Sequence, residues 1–128
     1  MFSIVIVSHS QKLAEGVVEV AKMMAHNVTV IAAGGKENGE LGTSYEKIAA
    51  AINEVYTDDG TAILMDMGSA VMTAEIVLES MDERRLKLID APIVEGAILA
   101  AIEAAAETSL EDLPEKMQQA RDMRKIEE

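Results

Sequence analysis

The sequence contains no cysteine, which excludes disulfides, thiol catalysis and thiolate metal sites. We therefore expect a reduced, cytoplasmic location. No apolar stretch approaches the roughly 20 residues that span a bilayer, and the apolar N-terminus lacks the basic leader of a signal peptide. The sequence predicts no membrane association.

Basic and aromatic residues are both scarce. Eleven Lys and Arg face 23 Asp and Glu, a net charge of −12, which repels phosphate backbones and makes nucleic acid an improbable partner. One Phe and two Tyr leave no platform for stacking bases or sugars. The acidic surface either attracts a positively charged protein partner or serves only solvation.

Strand-like and helix-like segments alternate along the chain. Short β-branched or aliphatic runs predict strands at residues 3–7, 28–32, 61–65 and 86–89. Amphipathic or apolar segments predict helices at about 10–25, 43–55, 69–81 and 93–107, and a last one opened by Ser109 and Asp112. This alternation predicts one domain over 1–128, a three-layer α/β/α sandwich with a four-stranded parallel sheet.

Three helix features make specific predictions. Ser8 with Gln11, or Ser10 alone, caps the first helix, and either choice places His9 at its N-terminus. Thr43 with Glu46 forms a capping box for the second helix. The helix at 93–107 is apolar around most of its circumference, which predicts packing on two sides and a homodimer with 93–106 near the interface.

His9 and Asp66 each follow a predicted strand. The carboxyl ends of parallel strands share one edge of the sheet, so an imidazole and a carboxylate would meet there. A carboxylate on Nδ1–H leaves the Nε2 lone pair free as a nucleophile. The alternatives are that His9 only donates to a carbonyl and that Asp66 only caps a helix. His26, near the end of the first helix, is interpreted as structural.

Small residues near this edge are suited to phosphate. Gly68 and Ser69 begin the third helix, where free N–H groups and the helix dipole favour an anion. The glycine-rich loop at 33–42 lacks the Gly-Lys-Ser/Thr triplet of a nucleotide-binding P-loop. It ends at Thr43, so it either closes over a phosphoryl group or shapes a docking surface. A receiver domain phosphorylated on Asp66 fits poorly, because Ser-His-Ser stands where magnesium-binding acids are needed.

Three motifs together resemble a known family. They are Ile-Val-Ile-Val-Ser-His-Ser at 4–10, Ala-Ala-Gly-Gly…Gly-Glu-Leu-Gly-Thr-Ser at 32–44 and Leu-Met-Asp-Met-Gly-Ser-Ala at 64–70. The chain resembles the mannose-type IIA family of the phosphotransferase system. Within that family it is most similar to the phosphotransferase subunits of dihydroxyacetone kinase systems.

The resemblance implies a phosphohistidine carrier. It implies that His9 accepts a phosphoryl group from the phosphocarrier protein HPr, that Asp66 orients its ring, and that the group passes to ADP on the nucleotide-binding kinase subunit, DhaL. The residues expected to hold the phosphoryl oxygens are Ser10, Gly39, Thr43, Gly68 and Ser69, with no metal and no cofactor. The alternatives are transfer to a sugar-transporter IIB domain and a non-enzymatic binding module.

Overall fold

A parallel sheet forms the centre of the molecule, and the computed structural model describes residues 1–127. The sheet has four strands in the order β2-β1-β3-β4. Their bounds are β1 Ser3–Ser8, β2 Val30–Gly34, β3 Thr61–Met65 and β4 Leu86–Ile89. The second strand begins two residues later than predicted, because Val28 donates its N–H to the Ala25 carbonyl in the preceding turn and the ladder starts at Val30.

Helices cover both faces of the sheet, which confirms the predicted three-layer α/β/α fold. The four main helices are α1 Gln11–Met24, α2 Tyr45–Val55, α3 Ser69–Ser80 and α4 Ile93–Ala105. One core layer joins the sheet to α1, α4 and the C-terminal segment, and the other joins it to α2 and α3. Every residue of β1 is buried. Ile4 and Ile6 face the first layer and Val5 and Val7 the second, which explains the unbroken apolar run.

The fourth helix is covered mostly by its own chain. Its buried positions are small residues, Gly96, Ala97, Ala100, Ala101 and Ala104, and the helix lies against α1, β1, β3 and the C-terminal segment. The expectation of packing on two sides therefore holds within one chain. Val94 and Ile102 stay outside, with 41% and 39% of their surfaces exposed.

The predicted single C-terminal helix is wrong. The chain forms a 3-10 helix at Leu110–Asp112, then α5 at Leu113–Lys116 and α6 at Gln118–Asp122. The two α-helices are separated at Met117, whose carbonyl accepts the N–H of Ala120, three residues further on, as in a 3-10 turn. The apolar pattern still specifies the buried face. Glu128 of the predicted charged tail lies outside the described residues. No helix within residues 1–127 is long and apolar enough to cross a membrane.

Candidate active site at His9

His9 lies in the junction between the first strand and the first helix. Ser10 is the N-cap of α1, and its Oγ accepts the Leu13 N–H at 3.1 Å. Ser8 has another role: its Oγ accepts the Ser10 N–H at 3.0 Å and donates to Asp66 at 2.9 Å. Of the two serines that could cap α1, Ser10 is therefore the N-cap. His9 lies at the carboxyl end of β1, as predicted.

Asp66 meets His9 across the central strand pair. Val7 of β1 lies opposite Met65 of β3 in the parallel ladder, so the residues that follow these strands are neighbours. The Asp66 Oδ1 lies 3.0 Å from His9 Nδ1, and Oδ2 accepts the His9 backbone N–H at 2.9 Å. One carboxylate therefore fixes both the ring and the main chain of His9.

Asp66 is held as a carboxylate. Only 14% of its side chain is exposed. This burial raises its pKa, but hydrogen bonds from the His9 N–H, the Ser8 hydroxyl, the His9 ring and the Met67 N–H lower it by more, so the net pKa lies below its ordinary value. An ionised Asp66 accepts from Nδ1–H and leaves the lone pair on Nε2.

Ser69 occupies the space in front of that lone pair. Its Oγ lies 2.8 Å from His9 Nε2. With the proton on Nδ1, the serine hydroxyl donates to Nε2 in the resting state. A group that bonds to Nε2 must displace this hydroxyl, which then becomes a donor to the incoming group.

The N-terminus of α3 presents backbone donors beside Ser69. Gly68 precedes the helix with φ +50° and has no side chain to cap it. The N–H groups of Gly68 and Ser69 make no hydrogen bond to any other part of residues 1–127. Two neutral donors are therefore available at the start of α3, where the Ser69 hydroxyl contacts the ring, at the positive end of a helix dipole.

The glycine-rich loop is bonded to the main chain around His9. Gly42 donates its N–H to the His9 carbonyl at 2.8 Å, and Gly35 donates to the Ser8 carbonyl at 3.1 Å. A Cβ built on Gly34 would lie 2.5 Å from the Ser10 carbonyl oxygen. Lys47 adds a bond from Nζ to the Gly34 carbonyl at 2.6 Å. The loop thus supports the turn that carries His9.

Three predicted phosphate ligands are engaged elsewhere. The Ser10 hydroxyl caps α1, Gly39 donates its N–H to the Lys36 carbonyl, and the Thr43 hydroxyl pairs with that of Thr73 at 3.2 Å. The prediction that Thr43 caps the second helix is wrong, since the cap is the next residue, Ser44. Among the small residues predicted, Ser69 is the one whose contact with the ring the structure shows, and Gly68 precedes it as the N-cap of α3.

Sequence reasoning missed the roles of Ser8 and Lys47 at this site. The sequence did contain a signal for Ser8, because a hydroxyl at the end of one strand can form a hydrogen bond with a residue at the end of the neighbouring strand. The sequence contained no signal for Lys47, because its partner is a main-chain carbonyl, which any residue could supply. His26 is exposed in the turn after α1. Residues 1–127 contain no group of three or more His, Asp or Glu that could hold a metal ion.

Known families and proteins are similar to this chain over most of its length. The mannose-type IIA family, described as the PTS system fructose IIA component, matches residues 3–116. A phosphoryl donor subunit DhaM of PEP-dependent dihydroxyacetone kinase 2 from Listeria innocua is 40% identical over 91% of this chain and 97% of its own. The phosphotransferase subunit DhaM of a PTS-dependent dihydroxyacetone kinase from Lactococcus lactis is 36% identical over 91% and 94%.

Solved structures with the same fold are consistent with this family. A crystallised protein of unknown function superposes with a TM-score of 0.82 at 32% identity, over 94% of this chain and 95% of its own. A mannose/sorbose-specific IIA subunit from Enterococcus faecalis superposes with a TM-score of 0.66 over 99% and 96%; its identity of 14% supports the fold alone. The chain belongs to the mannose-type IIA family of phosphotransferase components, among the phosphoryl donor subunits of dihydroxyacetone kinases.

Proposed function

We propose that His9 carries a phosphoryl group, which it accepts from HPr and gives to ADP bound on the nucleotide-binding subunit of a cytoplasmic dihydroxyacetone kinase. The observation that supports this most is the pairing of His9 Nδ1 with Asp66 at 3.0 Å, with Nε2 turned towards the N-terminus of α3. That arrangement makes Nε2 the nucleophile and provides donors where a phosphoryl group would lie.

Each transfer exchanges one bond to phosphorus for another. The Nε2 lone pair of His9 attacks the phosphorus of the phosphohistidine donor; a new N–P bond forms as the donor's N–P bond breaks. An oxygen of the ADP β-phosphate then attacks the same phosphorus. The His9 N–P bond breaks, and the ATP that forms stays bound to the partner subunit. Asp66 stabilises the positive charge that the ring gains when Nε2 is substituted.

The phosphoryl oxygens are held by neutral donors. We assign the Ser69 hydroxyl and the N–H groups of Gly68 and Ser69 to this role, since they lie free or beside Nε2. Ser10, Gly39 and Thr43 stay predictions. The Gly39 N–H would first have to leave the Lys36 carbonyl, whereas the Ser10 hydroxyl accepts from Leu13 and the Thr43 hydroxyl pairs with Thr73, so a hydroxyl that accepts there can still donate its proton.

The acceptor is inferred from the relatives. The similar proteins from Listeria innocua and Lactococcus lactis are described as subunits of dihydroxyacetone kinases, which favours ADP on a kinase subunit over a histidine or cysteine of a IIB domain. We expect the nucleotide and its magnesium to belong to the partner. On this proposal the chain alone binds neither ATP nor dihydroxyacetone tightly.

The test uses purified components. The chain, incubated with phosphoenolpyruvate, enzyme I and HPr, should gain one acid-labile phosphate by mass spectrometry, and His9→Gln should gain none. The phosphorylated chain is then mixed with ADP-loaded DhaL or with a IIB domain. Fast phosphate loss to ADP alone supports the proposal. Phosphorylation of His9→Gln, or transfer only to the IIB domain, contradicts it.

A further inference from the structure

Lys47 places its ammonium group against the main chain and not on a carboxylate. It lies half-buried in the first turn of α2 and donates from Nζ to the Gly34 carbonyl at 2.6 Å, with a longer contact of 3.5 Å to Gln11 Oε1. No carboxylate of residues 1–127 lies within 4 Å of Nζ, although the chain has 23 Asp and Glu. Lysine usually keeps its ammonium group in water, and holding the side chain in one conformation costs entropy. The contact with Gly34 therefore indicates a specific role.

A chain of hydrogen bonds runs from this ammonium group through two peptide groups. The Gly34 carbonyl, which accepts from Nζ, shares its peptide group with the Gly35 N–H, and that N–H donates to the Ser8 carbonyl at 3.1 Å. The Ser8 carbonyl shares its peptide group with the His9 N–H, which donates to Asp66 Oδ2 at 2.9 Å. Three hydrogen bonds in series therefore join the ammonium group to the carboxylate.

The sheet places the links of this chain. The strands β2 and β1 are parallel neighbours with Gly34 opposite Ser8, so the peptide group after Gly34 continues the ladder beyond the strand end. The strand β1 is also the neighbour of β3, which Asp66 follows directly. Only the lysine comes from outside the sheet, since it reaches Gly34 from α2.

The hydrogen bonds of this chain all point the same way. Each N–H donor faces Asp66 and each carbonyl faces Lys47. Aligned amides polarise one another, so a cation at the carbonyl end strengthens the N–H donor at the other end. That last donor is the His9 N–H, whose bond to Oδ2 fixes the main chain of the reactive residue. The ammonium group thus acts on the site from a distance of two peptide groups.

We propose that Lys47 is a positioning residue for phosphoryl transfer, which holds the His9 main chain and Asp66 in place through the two polarised peptide groups. This inference rests on the proposed function of His9 as a phosphoryl carrier and adds a residue that sets the transfer rate without contact with the reacting atoms. Loss of the ammonium group weakens the bond from the His9 N–H to Oδ2, so the carboxylate and the ring lose part of the alignment on which attack by Nε2 depends.

The kinetic test replaces Lys47 with methionine, which keeps a long unbranched side chain and removes the charge and the donors. Lys47→Met should lower the maximal rate of phosphorylation by phospho-HPr about five- to tenfold, with KM for HPr within about twofold of wild type. Phosphoramidate, a small donor that needs no docking, should react more slowly by the same factor. Lys47→Arg, which keeps the charge and the donors, should recover most of the rate. The matched control is Lys22→Met, which removes a charge from the exposed last turn of α1 and should leave both rates unchanged.

A spectroscopic test separates the hydrogen-bond chain from a general loosening of the site. In Lys47→Met the backbone amide protons of His9 and Gly35 should shift upfield in the NMR spectrum, because the hydrogen bonds that both donate weaken. The amide proton of Gly42, which donates to the His9 carbonyl at 2.8 Å and lies outside the chain of bonds, should move less. Lys47→Gln keeps a shorter, neutral donor and should give smaller shifts of the same sign, so it provides the same comparison if the methionine variant does not fold.

Each outcome supports or overturns the role of Lys47. If Lys47→Met is phosphorylated at the wild-type rate, or if its His9 amide proton does not shift, the proposal is wrong while the carrier function stands. Equal shifts at His9, Gly35 and Gly42, or no recovery in Lys47→Arg, would mean that Lys47 only stabilises the loop. A rise in KM alone would make Lys47 a contact of the donor and would also overturn the proposal. If wild type gains no phosphate from phospho-HPr, the proposed function itself fails, and the amide shifts of the unphosphorylated chain still test the hydrogen-bond chain.

Discussion

Asp66→Asn tests the central pair, because an amide cannot satisfy the four donors that converge on this carboxylate. Oδ2 accepts from the Ser8 hydroxyl and the His9 N–H, each at 2.9 Å. Oδ1 lies 3.0 Å from His9 Nδ1 and accepts from the Met67 N–H at 2.7 Å. An asparagine replaces one of these oxygens with an NH₂ group, which can only donate.

Either orientation of the amide leaves one backbone N–H without an acceptor. With NH₂ in place of Oδ2, the His9 N–H loses its acceptor, although the Ser8 hydroxyl can rotate to accept a hydrogen bond from the NH₂ group. With NH₂ in place of Oδ1, the Met67 N–H loses its acceptor. The ring must then accept from the NH₂ group at Nδ1 and carry its proton on Nε2, which removes the nucleophilic lone pair. The Met67 N–H is exposed and the His9 N–H is partly buried, so water can replace the lost acceptor and the cost falls below the about 1–3 kcal/mol of an unsatisfied buried donor. The variant should fold with a loss of at most about 1 kcal/mol.

The effect on transfer should be larger than the effect on stability. Removing the negative charge withdraws the stabilisation of the positive ring, and removing one preorganised electrostatic partner typically costs about 10²–10³ in rate. Rapid-quench measurement of phosphorylation by phospho-HPr should show a fall of on the order of 100-fold. Ser8→Ala is the matched control: it removes one bond to Asp66 and keeps the charge, so its rate should fall only several-fold. An Asp66→Asn rate within threefold of wild type would refute this role of Asp66.

Four further predictions concern stability and assembly. Gly34→Ala should lower the melting temperature by several degrees, since its Cβ would meet backbone atoms at 2.5 and 2.8 Å. Gly16→Ala, in a helix with open space around it, should raise the melting temperature slightly. The pKa of Asp66 is lower in the folded chain than its ordinary value of 3.8, so the carboxylate stabilises the fold only while it is ionised. The free energy of unfolding of wild type should therefore fall as the pH drops below that value. The free energy of unfolding of Asp66→Asn should fall less over the same pH range. Sedimentation at micromolar concentration should show a dimer that Ile102→Glu dissociates; a monomeric wild type would contradict the predicted homodimer.

The pairing of His9 with Asp66 was predictable because it depends on a general property of parallel sheets. Two apolar strands each ended in a chemically active residue, and parallel strands end at one edge. The sequence did not specify that β1 and β3 would be neighbours with Val7 opposite Met65. That register brings the carboxylate within 3.0 Å of the ring, and it results from the packing of the whole sheet.

Predictions failed where two residues of similar chemistry compete. Thr43 and Ser44 are both good caps, and the chain chooses Ser44 because the Thr43 hydroxyl is taken by Thr73 on α3, a contact between distant segments. At the C-terminus the apolar period was predicted correctly, but the segment is divided into a 3-10 helix and two short α-helices. Local patterns specify which side chains are buried, and tertiary contacts decide where an element begins and ends.

The lack of a Lys or Arg in contact with the reacting residues, among those that the structure describes, fits the carrier function that we propose. Within residues 1–127, no Lys or Arg makes a hydrogen bond or ion pair to His9, Asp66 or Ser69. A cation on the phosphoryl oxygens would stabilise the phosphorylated state and retain the group. Neutral donors from Ser69 and the start of α3 orient it with less stabilisation. If His9 carries a phosphoryl group as we propose, the group therefore keeps its transfer potential, and its release depends on charges that the acceptor supplies.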